Sequence, residues 1–541
     1  MEVVNIIESK IKGFISKLTD YQKFAFYSAV ILGIIAHGFA LFNRLSVHDN
    51  SHCLFALGAT YEVNRWGLGI IYKLQVLSTK TFSLPLFNGL LSIIFIACAA
   101  MVLVKTFDIR SKLVSAIIGG LMVVFPMVTS TFSFMFTTWP YFMGLLFAFM
   151  AAYTLIREVS VKNVIISVIW LTLSLGLYQA FLGVVVTLFL TKMMFDVIDG
   201  KTESIVDYAK GGVIYLIDLG LGLGLWAIIG KAFRTVKHIE LETYKGWDEG
   251  YNLAKLPARL AEAIKNFLTF RMEGINALRY LRMLAMLIFL LAVVMIIMLV
   301  IKSSTKVAVK IASVVGIILI PIAMMVVYLL STSSQYKVST LMVYPEIFVY
   351  LIPLLMLGRF EGFKAGIMQL LSKCVSTLLI LCTVVVTIGY VYLDNAAYFK
   401  AAIYQEQAVA YMTALLANIK STPGFSDDLE IVFVGFGNVE DATINEVAAK
   451  EEMDGVQLEK YYNTLVEMLN EGVNIQFLRD HLGIGNENMR IEDPNHDTEV
   501  SDMPEVKAMP VYPNDGSIQI IDDMLVVKMG ENVVEDDEKD N

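Results

Sequence analysis

Residues 163–196 read NVIISVIWLTLSLGLYQAFLGVVVTLFLTKMMFD, an apolar run whose only charges, Lys192 and Asp196, come near its end. About 20 apolar residues suffice to cross the roughly 30 Å of hydrocarbon in a bilayer, so this run is too long for one membrane helix. Polarity rises within it at Gly176-Leu177-Tyr178-Gln179. We therefore predict two helices that break at this point, and this break decides the side of the membrane on which every later segment lies.

Similar apolar runs recur between Phe24 and Asp394. Of the 541 residues, 56% are hydrophobic and only 17% are charged, and the mean hydropathy is +0.64. Soluble domains carry about a quarter charged residues, so the composition indicates an all-α polytopic membrane protein with about eleven transmembrane helices. The spans are predicted at 24–43, 85–104, 112–131, 139–156, 163–176, 178–196, 207–230, 282–301, 311–330, 341–358 and 375–393.

Basic residues give the orientation, because they are enriched in cytoplasmic loops. With eleven spans and the N-terminus inside, Arg157 and Lys162 fall in one inner loop and Lys302–Lys310 in another. The outer loop near 132–138 carries no basic residue, and the one near 331–340 carries only Lys337. Ten spans would place Lys302–Lys310 outside, so the pattern predicts eleven spans with the C-terminus outside.

Three regions follow from this arrangement. Residues 1–23 are predicted as a cytoplasmic interfacial amphipathic helix, since apolar side chains alternate there with lysines at helical spacing. Residues 24–394 form the transmembrane domain, with long outer loops at 44–84 and 231–281. The first of these loops contains a second amphipathic stretch from Leu54 to Leu74.

Residues 395–541 are predicted as a small soluble α/β domain on the outer face, ending in an acidic tail. Leu429–Phe436 has the pattern of a strand and Leu458–Leu469 that of a helix. Ile518–Met529 has the pattern of a hairpin that turns at Asp522-Asp523.

The first outer loop carries polar groups that could do chemistry. It begins at Arg44 and continues to His48-Asp49-Asn50, directly after the first span. The plain interpretation of Asp49 is a solvated turn or a helix cap. Arg65 and Trp66 follow in the same loop. Trp66 suits an interfacial anchor, whereas Arg65 could snorkel or face a lipid phosphate near Asp49, because a guanidinium matches phosphate oxygens.

Two further places at outer helix ends hold polar side chains. Tyr178 and Gln179 lie at the predicted helix break and could cap helix ends. Lys337 and Glu346 lie near the outer end of a later span, where they could form an ion pair or Lys337 could bind phosphate. Asp218 is the one acid well inside a predicted span, and an intramembrane carboxylate is either functional or a hydrogen-bonding group of the bundle.

Several function classes lack support in the sequence. No Walker, HExxH or CxxC pattern occurs, and Cys53, Cys98, Cys374 and Cys382 have no metal-ligand spacing. We therefore predict no metal site and no cofactor. No basic stripe indicates nucleic-acid binding.

The order of several motifs resembles the GtrII-type glucosyl transferase family of polytopic GT-C membrane glycosyltransferases. The matching pieces are His48-Asp49-Asn50, Arg65-Trp66-Gly67, Pro85-Leu86, Gly176-Leu177-Tyr178-Gln179-Ala180, Met509–Ile518 and Val526-Val527-Lys528. The family often has two adjacent acids where this chain has His48-Asp49, so a role that needs paired carboxylates is not carried over. The family's Gly-Arg-Trp is here Asn64-Arg65-Trp66.

The resemblance implies a GT-C-like fold and an inverting transfer of a sugar, with glucose expected, from a polyprenyl phosphate to a cell-surface glycan. This would take place on the outer face of a bacterial cytoplasmic membrane. Asp49 would be the general base. Substrate binding is expected from His48, Asn50, Arg44, Arg65, Trp66, Tyr178, Gln179, Lys337 and Glu346. Membrane lipid, a flippase and a donor synthase are the further partners implied.

Two other functions stay open from the residues alone. A transporter or flippase of lipid-linked sugar would need polar groups along a path through the membrane, and Asp218 is the only mid-span acid. A non-catalytic scaffold would bind polymer through the outer domain and would tolerate loss of Asp49. The ionisable residues gather at outer helix ends, which favours chemistry at the membrane surface.

Overall fold

A computed structural model describes residues 4–5, 8–10, 13, 16–45, 60–75, 83–241, 256–272, 278–330, 342–362, 366–435, 474–484, 488–492 and 498–530. The described residues fall into two compact units, one up to Arg44 and from Thr60 to Asn395, the other from Ala396 onward. The predicted helix at Leu458–Leu469 and the acidic tail lie outside these residues.

The first unit is helical. Its helices are α1 Asp20–Phe42, α2 Trp66–Gln75, α3 Pro85–Thr106, α4 Lys112–Val124, α5 Pro126–Phe132, α6 Met135–Arg157, α7 Val161–Leu177, α8 Leu182–Ile198, α9 Ile205–Lys237, α10 Leu256–Leu268, α11 Arg279–Lys302, α12 Val307–Met324, α13 Val326–Leu330, α14 Phe348–Phe360 and the first part of α15 Gly366–Ser421. Helix α15 continues past Asn395 into the second unit. Two 3₁₀ turns, Gln179–Phe181 and Tyr344–Ile347, precede α8 and α14. Residues 4–5, 8–10, 13 and 16 of the predicted interfacial helix are also helical.

Local sequence explains where several helices begin. Ser111, Ser160 and Ser204 each stand just before a helix and accept a hydrogen bond from a backbone N–H of its first turn. Such caps satisfy donors that the helix itself leaves unpaired. At α1, Thr19 and Gln22 form the reciprocal pair of a capping box.

Every predicted span overlaps a helix within the described residues, and the predicted break after Gly176 is confirmed, since α7 ends at Leu177. Among the described residues, nine helical segments are long and apolar enough to cross a membrane. The two remaining places are α7, with 17 residues, and α14, with 13. The protein therefore has multiple membrane-spanning helices, and the count of eleven stays a prediction.

Small residues allow the helices of the first unit to approach closely. Helix α1 packs against α3 and α4 and buries Ala25, Ala29, Gly33, Ala36 and Ala40. Membrane helices use such small residues to bring their backbones together, because no hydrophobic effect drives association inside lipid. Helix α6 packs against α3, α7 and α8, and α9 packs against α7.

Two helices extend beyond the predicted spans. Helix α9 continues to Lys237, although its span was predicted to end at residue 230, and α15 continues to Ser421. With 33 residues at about 1.5 Å each, α9 exceeds the roughly 30 Å of hydrocarbon. The region 231–281, interpreted as a loop, also contains α10. Charged residues mark the end of the hydrophobic segment that crosses the membrane, but the helix itself can continue past them.

The second unit holds a four-stranded sheet of order β2-β1-β4-β3, formed by β1 Glu430–Val434, β2 Met489–Glu492, β3 Ile518–Ile521 and β4 Met524–Lys528. Strand β1 runs parallel to β2 and β4, whereas β3 and β4 are antiparallel. The described part of this unit also contains two helices, α16 Asn474–Leu482 and α17 Pro504–Ala508.

Both sequence signals for strands in this unit match the structure. Strand β1 lies inside the predicted 429–436, and the hairpin turns at Asp522 and Asp523, which both have positive φ. One face of the sheet packs on the end of α15 through side chains such as Met412 and Leu415. The other face packs on Val500 and Val506, among others, so β1 is buried on both sides.

Candidate functional site

A tight turn directly before α2 carries the Arg-Trp motif. The N–H of Arg65 donates to the carbonyl of Thr60 at 2.7 Å, and the N–H of Asn64 donates to that of Tyr61 at 3.1 Å. Asn64 has a φ of 62°, in the left-handed region. Asparagine tolerates this conformation better than most residues, which is consistent with Asn where the family has Gly.

Arg65 is buried among aromatic side chains. Its Nη1 donates to the hydroxyl of Tyr141 at 2.9 Å, and its Nε donates to Gln179 Oε1 at 3.4 Å. The guanidinium carbon lies 5.2 Å from the ring centre of Tyr178 and 5.7 Å from that of Tyr141. The two tyrosine rings stack at 4.2 Å. Hydrogen bonds and ring faces together stabilise a cation away from bulk water.

Gln179 connects the Arg-Trp turn to the break between α7 and α8. Its Nε2 donates to the carbonyl of Val63 at 2.8 Å, while its Oε1 accepts from Arg65. Four residues predicted for the site, Arg65, Trp66, Tyr178 and Gln179, are thus brought together by two segments more than a hundred positions apart.

Trp66 is buried rather than exposed as an interfacial anchor, with 4% of its surface accessible. Its indole stacks on Phe233 of α9 at 6.2 Å and lies against Gly176 of α7. A Cβ at Gly176 would come within 2.6 Å of the indole, so only glycine fits there. Among the described residues the indole Nε1 has no hydrogen-bond partner.

The C-terminal end of α9 also contacts this turn. Trp226 Nε1 donates to the carbonyl of Asn64 at 3.1 Å, and Arg234 Nη1 donates to Asn64 Oδ1 at 2.5 Å. Gly230 lies between these two residues, and a Cβ there would be 1.6 Å from Asn64 Oδ1. The Arg-Trp motif is therefore fixed by α6, the α7–α8 break and α9.

Glu346 belongs to a second buried polar cluster in the same unit. It has no accessible surface, and the hydroxyl of Tyr328 donates to its Oε1 at 3.3 Å. Nearby on the chain, Tyr344 packs edge to face on Phe181 of the α8 turn at 6.2 Å. The 3₁₀ turn of Glu346 thereby contacts the segment that carries Gln179.

Asp394 is a buried carboxylate that the sequence analysis did not single out. The hydroxyl of Thr129 donates to its Oδ1 at 2.5 Å, and Oδ2 has no hydrogen-bond partner among the described residues. The hydroxyls of Tyr350 and Tyr390 share a hydrogen bond of 2.8 Å, and Tyr390 packs on Phe125. Position 394 directly follows the predicted last span, 375–393, so the apolar pattern alone gives no sign that its carboxylate is buried.

Asp218 is held at a helix contact. Ser167 Oγ lies 3.0 Å from its Oδ2 and 3.1 Å from the carbonyl of Ala151. Its other oxygen has no partner among the residues described. This geometry fits a hydrogen-bonded group of the bundle, formed between α7 and α9.

The remaining predicted residues are placed as follows. Arg44 is exposed just after α1 and has a φ of 53°. His48, Asp49, Asn50 and Lys337 lie outside the described residues. Within the part that is described, no three His, Cys, Asp or Glu side chains come together as a metal site would require.

Sequence reasoning missed Tyr141, Trp226 and Arg234. Tyr141 and Trp226 occur within apolar spans, where an aromatic residue gives no sign of a polar partner. A usable signal existed for Arg234, because Lys231, Arg234 and Lys237 follow at three-residue spacing and so lie close together on a helix that continues past its span.

Comparison with known proteins places this geometry in a family. No curated protein and no solved structure matches the chain. The family model described as glucosyl transferase GtrII matches residues 38–350, which includes the Arg-Trp turn, the α7–α8 break, α9 and the turn of Glu346. The match covers more than half of the 541 residues. The chain belongs to the GtrII glucosyl transferase family, whose members are membrane glucosyltransferases.

Proposed function

We propose that this glucosyltransferase is of the GT-C class and transfers glucose from a polyprenyl phosphate to a cell-surface glycan, on the outer face of the cytoplasmic membrane. The observation that carries the proposal is the fixed position of Arg65. Three separate segments contact its turn, and its guanidinium is buried beside Tyr141 and Tyr178. A buried, oriented cation suits the stabilisation of a phosphate that develops charge as it leaves.

The proposed base is Asp49, which precedes Arg65 by sixteen positions in the same loop. Its carboxylate accepts the proton of an acceptor hydroxyl while that oxygen attacks the anomeric carbon. The bond from this carbon to the phosphate oxygen breaks, and the electron pair leaves with the lipid phosphate. Attack opposite to the leaving group inverts the anomeric centre.

We propose that the two substrates bind to the other polar residues predicted for the site as well as to Arg65 and Trp66. These residues are Arg44, His48, Asn50, Tyr178, Gln179, Lys337 and Glu346. Gln179 supports this assignment, because one side chain contacts both the guanidinium of Arg65 and the backbone of Val63. We propose no metal or cofactor for the reaction. The outer-face location rests on the distribution of lysine and arginine among the loops.

The first prediction tests the base. Purified full-length protein in lipid nanodiscs is given polyprenyl-phosphate glucose and an outer-surface glycan, and glucose transfer is measured. Asp49→Asn should lower the rate roughly 10²–10⁴-fold, the contribution typical of a general base. Asp523→Asn is the matched control, since Asp523 is exposed in the β3–β4 turn where asparagine is also well tolerated.

Unchanged transfer by folded Asp49→Asn would exclude Asp49 as the base, and Glu346→Gln would then be the next variant to assay. The alternative function, transport of a lipid-linked sugar, predicts a different outcome. Wild-type protein in sealed vesicles would move the labelled lipid between leaflets while forming no glycosidic bond.

A further inference from the structure

A cavity of about 330 Å³ lies in the second unit. Its walls come from the end of α15 and the loop that follows, the first residues of β1 and β2, and the end of α16. Pockets that bind small molecules measure roughly 300–1,000 Å³ and are mostly apolar, with a few polar groups at set positions. The size of this cavity therefore suits one small ligand or one unit of a polymer.

The floor of the cavity is aliphatic. It is lined by Ile419, Ile431, Leu478 and Met489, which belong to the core between the sheet and α15 and have at most 7% of their surface exposed. These side chains offer no strong hydrogen-bonding group, so a polar group placed against them would lose its bonds to water without replacement. An apolar group would instead be favoured, because its surface and theirs both leave water. The floor therefore suits a methyl or a similar small group of a ligand.

The rim of the cavity carries side chains of both charges. Lys420 and Asp427 line it and are exposed, and the half-buried Phe425 lines it as well. Neither charged side chain has a hydrogen bond or an ion pair with another residue in the described part of the chain. An ammonium donates hydrogen bonds and a carboxylate accepts them, so this rim can bind a ligand that both accepts and donates.

Two helices end beside the cavity. Lys420 is the residue before the last of α15, and Gly483, whose φ of 68° is typical of a residue that ends a helix, follows α16. The C-terminal end of a helix carries a partial negative charge. A ligand with many O–H or N–H donors is therefore favoured here, whereas a phosphate would meet Asp427 and both helix ends with charge of the same sign.

We propose that this cavity binds one sugar unit of the glycan acceptor, and that this unit carries a methyl group, as an N-acetylhexosamine or a 6-deoxyhexose does. The methyl group fills the aliphatic floor, and the apolar C–H face of the ring packs on Phe425. Hydroxyl groups donate to Asp427 and accept from Lys420.

This inference rests on the proposed function, because it names the class of acceptor that the glucosyltransferase uses. It concerns a part of the chain outside the family match, which ends at residue 350. A free amino acid with an aliphatic side chain also has an apolar part and both charges. A sugar is favoured over it because the family to which the chain belongs acts on sugars.

The experiment measures sugar binding without requiring catalysis. Purified full-length protein in nanodiscs is titrated with the methyl glycosides of N-acetylglucosamine, rhamnose and glucose, and saturation-transfer NMR gives each dissociation constant. The tighter of the first two sugars should bind roughly fivefold more tightly than glucose, as expected for one buried methyl group. That sugar also identifies whether the methyl group is of the acetamido or of the 6-deoxy kind.

Three variants connect this binding to the cavity. Ile484→Trp places a large ring in the cavity from a half-buried wall position and should abolish the preference for the methyl-bearing sugar. Asp427→Ala changes an exposed residue and should raise the dissociation constant roughly tenfold, the effect of losing a hydrogen bond to a charged group. Asp428→Ala is the matched control, because this exposed neighbour is not among the residues that line the cavity. It should bind as wild type does.

Three results would overturn the proposal. They are wild-type affinity in Asp427→Ala, glucose binding as tight as that of both methyl-bearing sugars, and displacement of the sugar by an equal concentration of leucine. Failure of the two proposals is distinguishable. Cavity-dependent sugar binding without glucose transfer would contradict the catalytic proposal alone, and glucose transfer without cavity-dependent binding would contradict this one alone.

Discussion

At the scale of single residues, the site depends on side chains that fill unusual positions. Asn64 adopts a left-handed backbone and receives a hydrogen bond from Arg234 on its side chain and one from Trp226 on its carbonyl. The next residue, Arg65, is buried by that geometry, with 8% of its surface exposed. A buried guanidinium is tolerated only with hydrogen-bond acceptors in place, so the position of Asn64 and the stability of Arg65 are linked.

Gly230 tests this link, because a Cβ there would overlap Asn64 Oδ1. Gly230→Ala should push the Asn64 side chain away from Arg234, with a destabilisation of roughly 1–3 kcal/mol, and should reduce glucose transfer. Gly224 lies on the same helix and has open space around it. Gly224→Ala should therefore leave the melting temperature unchanged or raise it slightly, since alanine favours helix. Equal melting temperatures and rates for the two variants would contradict the role given to Gly230.

At the scale of elements, the apolar runs predicted the helices because a membrane leaves the backbone no other partner than itself. The break at Gly176–Gln179 was also predictable, since polarity rises there. The extension of α9 to Lys237 was not, because hydropathy ends a span at the first charges while the backbone stays helical. The family resemblance assigned Arg65 and Gln179 to one site, but it did not predict the contact between them, because contacts between distant segments leave no periodic signal.

The end of α8 is joined to α14 by a pair of charges at the side opposite to the site. Arg359 donates to both oxygens of Asp199, at 2.8 and 3.0 Å, and its guanidinium lies 4.2 Å from the ring centre of Phe195. Burial alone would raise the pKa of Asp199, but Arg359 and Lys201 outweigh it and hold this pKa below its ordinary value. The charged carboxylate is thus favoured in the folded state.

A depressed pKa gives stability that is present above the ordinary value near 3.9 and is lost as the pH falls through the folded value. The melting temperature of wild type should therefore exceed that of Asp199→Asn by a constant amount between about pH 5 and 7, and the difference should shrink below about pH 4. Asp428→Asn, which removes an exposed acid without an ion pair among the described residues, controls for net charge. A difference that persists unchanged at low pH would contradict this account.

At the scale of the whole molecule, the proposed chemistry depends on which side of the membrane each segment lies. Whether the number of spans is odd or even decides this for the second unit. With eleven spans, the first outer loop and the residues after Ala396 lie on the same, outer side, where a surface glycan is available. The structure supports the decisive break, since α7 and α8 are separate helices that both pack on α6. Yet α7 is short for a span, with 17 residues, so its crossing is the step on which the orientation depends.

Cysteine labelling in intact cells tests the orientation directly. Cys53, Cys98, Cys374 and Cys382 are first replaced by serine, and one cysteine is then placed at the exposed position Lys162 or Ser426. A membrane-impermeant maleimide should label Ser426→Cys in intact cells, but Lys162→Cys only after permeabilisation. Labelling of both positions only after permeabilisation would mean an even number of spans and a second unit inside the cell. The outer domain could then take no part in binding a surface acceptor, and transfer would have to be explained by the first outer loop and the membrane helices alone.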